Sequence, residues 1–149
     1  MNIYKEIIVE HGFMNFSIKG NSMEPLLRDG DLVRICKTTC FKTGDCYIFK
    51  NNDKLLLHRL AHRCGDYFYF IGDNSNNFEK VSREQICGVL YDSRCNFLEK
   101  KLISFINRLY LIIYKWWPIR RLQGFRKKAI RLLYRSFHEK TIPETSNLH

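Results

Sequence analysis

From residue 29 to residue 91 the chain repeats one local pattern, a short apolar run closed by a turn built from Gly, Asp and Asn. Asp29-Gly30-Asp31 precedes Leu32-Val33-Arg34-Ile35-Cys36, and Gly44-Asp45 precedes Cys46-Tyr47-Ile48-Phe49-Lys50. Asn51-Asn52-Asp53 leads into the long run Lys54 to Arg63, which Gly65-Asp66 turns into Tyr67-Phe68-Tyr69-Phe70-Ile71. The polar loop 72–77 and a short turn expected at 81–85 precede Ile86-Cys87-Gly88-Val89-Leu90-Tyr91. Val, Ile and aromatic residues suit a pleated surface, and Gly, Asp and Asn supply the backbone conformations of tight turns. Strands this short, at about ten-residue spacing, predict a mainly β domain, a barrel or coiled sheet. Residues 1–16 are mixed; Ile3, Ile7 and Ile8 suit a turn or two of helix or an edge strand.

After residue 96 the period changes. Leu98, Leu102, Phe105, Leu109, Ile112 and Trp116 recur at three- and four-residue steps, widened by Ile106, Ile113 and Trp117. Lys100, Lys101, Ser104, Asn107, Arg108 and Lys115 fall on the other side, so an amphipathic helix is expected, broken at Pro118. A second runs from about Ile119 to Phe137, with Leu122, Phe125, Ala129, Leu133 and Phe137 opposite a row of Lys and Arg. The chain thus divides into an extension (1–17), a β domain (18–96), a basic amphipathic helical appendage (97–140) and a tail (141–149).

Charge follows the same division. Residues 1–96 hold 13 Lys/Arg against 12 Asp/Glu, and residues 97–149 hold 12 against 3, so nearly all of the net +10 lies in the last third. Such a region fits a membrane surface, a partner protein or a solvated face. Its wide apolar stripes disfavour nucleic acid. Leu102–Ile119 is long enough to consider as a span, but Asn107, Arg108 and Lys115 interrupt it. The opening Met1-Asn2-Ile3-Tyr4-Lys5-Glu6 has no apolar signal core. The six cysteines are therefore expected as reduced thiols, in a protein that is cytoplasmic or peripherally membrane-associated. Cys36 and Cys40 lack a CxxC spacing, and no metal or cofactor is expected.

The chemistry centres on Gly20-Asn21-Ser22-Met23-Glu24-Pro25. Gly20 allows a sharp turn and Pro25 fixes the exit, a frame that aims one hydroxyl. By itself this pattern also suits a serine that only hydrogen-bonds its own turn. A serine nucleophile needs a base. His58 follows Leu55-Leu56-Leu57 and should be fixed in the sheet, whereas His11, His138 and His149 lie outside the organised region. His62 is four residues beyond His58, about 13 Å along a strand, so the two cannot serve one serine. A histidine base also needs an orienting acid. Asp73 and Glu79 are both candidates, and spacing alone does not choose between them.

These segments resemble, in order, the boxes of the signal peptidase I / LexA-like serine peptidase superfamily. Gly20 to Pro25 with Asp29-Gly30-Asp31 is similar to the serine box. Gly44-Asp45-Cys46-Tyr47-Ile48-Phe49 is similar to the Gly-Asp-x-x-x-Phe strand, Leu57-His58-Arg59-Leu60 to the base box, and Gly72-Asp73-Asn74 to the late Gly-Asp-Asn box. A histidine in the base box resembles the endoplasmic-reticulum and spore-former signal peptidases; the bacterial and LexA branches place lysine there. The resemblance implies a signal peptidase/LexA-like coiled β-sheet barrel. It implies Ser22 as nucleophile, His58 as base and Asp73 as orienting acid. Glu79 falls where that subclass has a second acid, normally Asp.

The oxyanion site would involve Gly20, Asn21 and Met23. Gly20 stands where many signal peptidases carry a hydroxyl, so the donors would be backbone groups. Substrates would be peptides or precursor proteins bound as extended strands, cut in trans; the only alanines, Ala61 and Ala129, lie downstream of the serine, which disfavours an Ala-Gly self-cleavage segment. From the resemblance, the family's usual N-terminal membrane anchor is expected to be missing here. The competing expectation is a basic adaptor, or a peptide- or nucleic-acid-binding protein, on a degenerate peptidase fold.

Overall fold

The computed structural model describes residues 3–91, 97–116 and 120–138. Helix α1 (Ile3–His11) leads into β1 (Phe13–Ser17), and the serine loop connects β1 to β2 (Leu32–Cys36). Then come β3 (Cys46–Asn51), β4 (Lys54–Cys64), β5 (Tyr67–Ile71) and β6 (Phe78–Ser82). A single 3-10 turn, Arg83–Gln85, precedes β7 (Ile86–Tyr91). The seven strands make one sheet in the order β1-β2-β7-β3-β4-β5-β6. All neighbours are antiparallel, and the sheet curls into a half-barrel. The mainly β fold expected from the Gly-Asp punctuation is therefore present. The strands β2, β5 and β7 fall on the expected runs, and β3 and β4 each run one residue further.

Two strands are not announced by the sequence, and both lie at sheet edges. In β1 no side chain is fully buried, and in β6 only Val81 is, beside Glu79 and Lys80. An edge strand with one face in water needs little apolar patterning. Residues 13–17 nonetheless pair along their whole length with β2, from Phe13 opposite Cys36 to Ser17 opposite Leu32. Ile8 of α1 is fully buried in the same core. The described part of 1–17, set apart in the sequence as an extension, thus packs as one with the β domain, β1 as an edge strand of the sheet and α1 against β1 and β7.

Strand β4 is the axis of the molecule. Its residues Leu57, His58, Arg59, Leu60 and Ala61 are buried in succession, on both faces. One cluster joins Met23, Leu27, Ile35, Ile48 and Leu57 to Ile103 and Ile130 of the C-terminal helices. The other packs Tyr47, Phe49, Leu60, Phe68 and Phe70, with the Phe49 and Phe70 rings stacked at 4.5 Å. Two buried faces explain why Leu55-Leu56-Leu57 and Leu60-Ala61 of β4 are consecutive rather than alternating with polar residues.

The helices α2 (Phe97–Trp116) and α3 (Arg120–His138) pack on each other, and α2 packs on β4. Lys100 of α2 bonds Asp45 at 2.8 Å, tying the helix to the β3 turn. Among the described residues no helix is long and apolar enough to cross a membrane. The expected break at Pro118, the side chains of Trp116 and Trp117, and the tail 141–149 lie outside what is described.

Candidate active site

Ser22 sits in a loop that is closed at its base and cross-tied within. Ile18 N–H donates to the Asp31 carbonyl at 2.8 Å, and Gly30 N–H to the Ile18 carbonyl at 2.9 Å. Gly20 has φ +81°, a conformation that costs other residues strain. Its N–H donates to Asp29 Oδ1 at 2.6 Å. The Leu27 N–H closes the far side on the Met23 carbonyl at 3.1 Å, and the Met23 side chain is buried beneath the loop. The acidic Asp-Gly-Asp turn is thus part of the serine's frame: Asp29 holds Gly20, and Asp31 accepts from Arg28 N–H at 3.0 Å.

His58 reaches this loop from β4. Its Nε2 lies 3.1 Å from Ser22 Oγ, and its Nδ1 lies 2.9 Å from Glu79 Oε2 on β6. A neutral imidazole that donates from Nδ1 to the carboxylate has its Nε2 lone pair facing the serine hydroxyl. Phe49 meets the ring edge-on at 6.1 Å, and the histidine is 4% exposed, so packing holds it in this rotamer. The linear array hydroxyl–imidazole–carboxylate is what a base-activated serine requires.

The acid in that array is Glu79, and this corrects the expectation for Asp73. Residues 58 and 59 are consecutive on a strand and point to opposite faces. Asp73 lies on the Arg59 side. It accepts from Arg59 Nε at 2.9 Å and from a terminal guanidinium nitrogen at 2.6 Å, a two-pronged pair with both side chains wholly buried. Burial, the largest single influence, works against the Arg59 charge, but the Asp73 carboxylate together with Cys46 and Tyr134 outweighs it, and the guanidinium pKa is held well above its usual value. Tyr134 of α3 accepts from Arg59 at 2.7 Å and donates its hydroxyl to Asp73 at 3.1 Å. With its oxygens so engaged, Asp73 is a structural counterion. Glu79 reaches His58 Nδ1 from the edge strand β6.

Loop 72–77 locks the two sides together. Asn74 N–H donates to the Ser22 carbonyl at 2.8 Å, and Asn74 Nδ2 to the Asn21 carbonyl at 3.2 Å. A Cβ on Gly72 would stand 2.6 Å from the Ser22 carbonyl and 3.0 Å from His58 Nε2, so only glycine lets the loop pass this close. From the opposite side Arg126 of α3 gathers the loop's carbonyls. It donates to those of Gly72 at 2.9 Å, Asp73 at 3.4 Å and Ser75, and to Asn107 Oδ1 at 2.7 Å. Burial lowers the Arg126 pKa from its usual value, and Asp73 partly restores it. Tyr110 of α2 adds a bond to the Asn76 carbonyl at 3.2 Å.

A cleft of about 250 Å³ opens beside the serine, lined by Tyr4, Phe16, Ile18, Met23 and Leu55 to Leu57. Its floor is mostly apolar and its size suits a peptide side chain or two. On β4 the ladder to β5 begins only at Arg59, so residues 54–58 pair with β3 and present a second edge that no described strand takes. β1 is the terminal strand of the sheet. Two strand edges therefore flank the cleft that ends at Ser22. Of the expected oxyanion residues, Gly20 has its N–H committed to Asp29, and Met23 supplies a cleft wall. Asn21 is a loop residue whose carbonyl accepts from Asn74 and Glu24. No group of three or more His, Cys, Asp or Glu suited to a metal occurs among the described residues.

Glu79's place at Nδ1, Arg126 and Tyr134 are not legible as motifs. One signal did exist for the acids: an arginine next to the candidate base must face the other side of a buried strand, where it needs a carboxylate of its own. The family model described as Peptidase S24-like matches residues 4–91, more than half of the chain. Among curated proteins none matches.

Proposed function

The chain belongs to the Peptidase S24-like family, and we propose that it is a serine endopeptidase cutting leader- or signal-type peptides in trans. The observation that carries this is the array Ser22 Oγ, His58 and Glu79, with separations of 3.1 and 2.9 Å. His58 Nε2 takes the hydroxyl proton as Ser22 Oγ bonds the substrate carbonyl carbon. Glu79 holds the ring and stabilises the imidazolium that forms. The carbonyl electrons move onto oxygen, and the tetrahedral adduct collapses with loss of the amine, which leaves with the proton from His58. Water then attacks the serine ester, its proton passing through His58, and releases the acid and free Ser22. With Gly20 N–H taken by Asp29, a backbone N–H beside the nucleophile, that of Ser22, would serve as oxyanion donor in this reading.

The substrate in this reading enters the cleft as an extended strand. Main-chain bonds to the free edges of β1 and of residues 54–58 would give affinity, and the apolar wall of Phe16, Met23 and Leu57 would select a side chain. The test is incubation of the purified chain with a mixed peptide library, read by mass spectrometry. Cleavage at preferred sites is expected, with loss of roughly 10⁴-fold or more in kcat/KM in Ser22→Ala. A Ser22→Ala protein that cuts at the wild-type rate would end the proposal.

A further inference from the structure

Helix α2 is turned around relative to an ordinary surface helix, which hides its apolar face. Its buried side carries Glu99, Ile103, Asn107 and Tyr110, two of them strongly polar. Its outward side carries Phe97, Leu98, Phe105, Leu109 and Ile112, which are between 42% and 73% exposed. Lys101 and Arg108, expected from the sequence pattern on the opposite side, are also exposed and fall with these residues within about one-third of the helix circumference, because their helical angles lie inside the apolar arc. On α3 the exposed Phe125 and Leu132 stand one turn either side of exposed Lys128. A contiguous apolar surface of this kind marks a contact site.

The charge around it selects the occupant. Residues 97–138 contain eleven Lys/Arg and a single acid, Glu99, which is wholly buried. The exposed face therefore combines large apolar side chains with basic ones and no described acid. Phosphate backbones of nucleic acids offer nothing to five outward aliphatic and aromatic side chains. The boundary between headgroups and acyl chains of an anionic bilayer takes both kinds of group. We propose that the outward face of α2, with the exposed side chains of α3, docks the protein on an anionic lipid surface. Apolar side chains enter the interface and the basic ones stay at headgroup level.

The test is sedimentation of the full chain with vesicles of phosphatidylcholine alone and of phosphatidylcholine mixed with phosphatidylglycerol. Binding to the mixed vesicles is expected, weakened by salt, with little binding to the neutral ones. The triple variant Phe105→Ser, Leu109→Ser, Ile112→Ser should lower the partition coefficient by about tenfold or more. Arg108→Ala and Lys128→Ala should each lower it about fivefold. All five side chains are exposed, so thermal melting should be unchanged in these variants. Absence of binding to the mixed vesicles, equal binding to neutral ones, or undiminished binding by a folded triple variant would each overturn the inference. Ser22→Ala should bind vesicles like the wild type, so lipid docking and peptidase activity stand or fall separately.

Discussion

His58 and Arg59 are chain neighbours, yet each meets its own acid on its own face of β4. On one face His58 joins Ser22 to Glu79 beside an open cleft. On the other, Arg59 and Asp73 form a wholly buried pair under α3, braced by Tyr134. The first face keeps a carboxylate within reach of an imidazole that, in the proposed reaction, gains and loses a proton. The second neutralises a permanent charge and fixes the loop that carries Asn74 to the serine. A strand's two-residue period lets adjacent positions do these separate jobs without sharing partners. The two buried arginines differ in the same way. Arg59 has a carboxylate and its pKa rises; Arg126 is held mainly by carbonyls and an amide, and burial lowers its pKa.

This comparison can be broken by substitutions that strike one face only. The largest effect is expected from Asp73→Ala, which leaves Arg59 charged and alone in the core. Urea unfolding should report a loss of about 3–5 kcal/mol. Glu79→Gln should do the reverse, lowering kcat/KM roughly 10²- to 10³-fold with an almost unchanged unfolding midpoint. If Glu79→Gln unfolds the protein while Asp73→Ala only slows it, the two faces have been assigned the wrong way round. Arg126→Met should cost about 2 kcal/mol, because several loop carbonyls lose a charged donor. Arg126→Lys should recover part of this. Tyr134→Phe is the mildest change, about 1 kcal/mol for the lost hydroxyl, and it should leave activity nearly intact.

The sheet was legible because its turns are chemically explicit. Gly30, Gly44 and Gly65 all take positive φ at the expected reversals. The edge strands β1 and β6 were hidden because half-exposed strands need only a few buried side chains, Val81 in β6 being one. Ser22 and His58 were readable from motif order, and the structure brings them together. The choice between Asp73 and Glu79 was not, because it depends on which face of β4 each loop returns to. Helical period marked α2 and α3 but not their orientation. Arg126 reads as one more basic surface residue, whereas it is 2% exposed and bonded to loop 72–77.

The most direct test of Ser22 activated by His58 and Glu79 is covalent labelling with a fluorophosphonate, located by peptide mass spectrometry. Wild-type protein should carry the label on Ser22, and Asp73→Asn, where folded, should label at a comparable rate. Labelling of Glu79→Gln should be slower by the same factor as its loss of kcat/KM. Equal labelling of Glu79→Gln and wild type, or a label on another residue, would contradict the account.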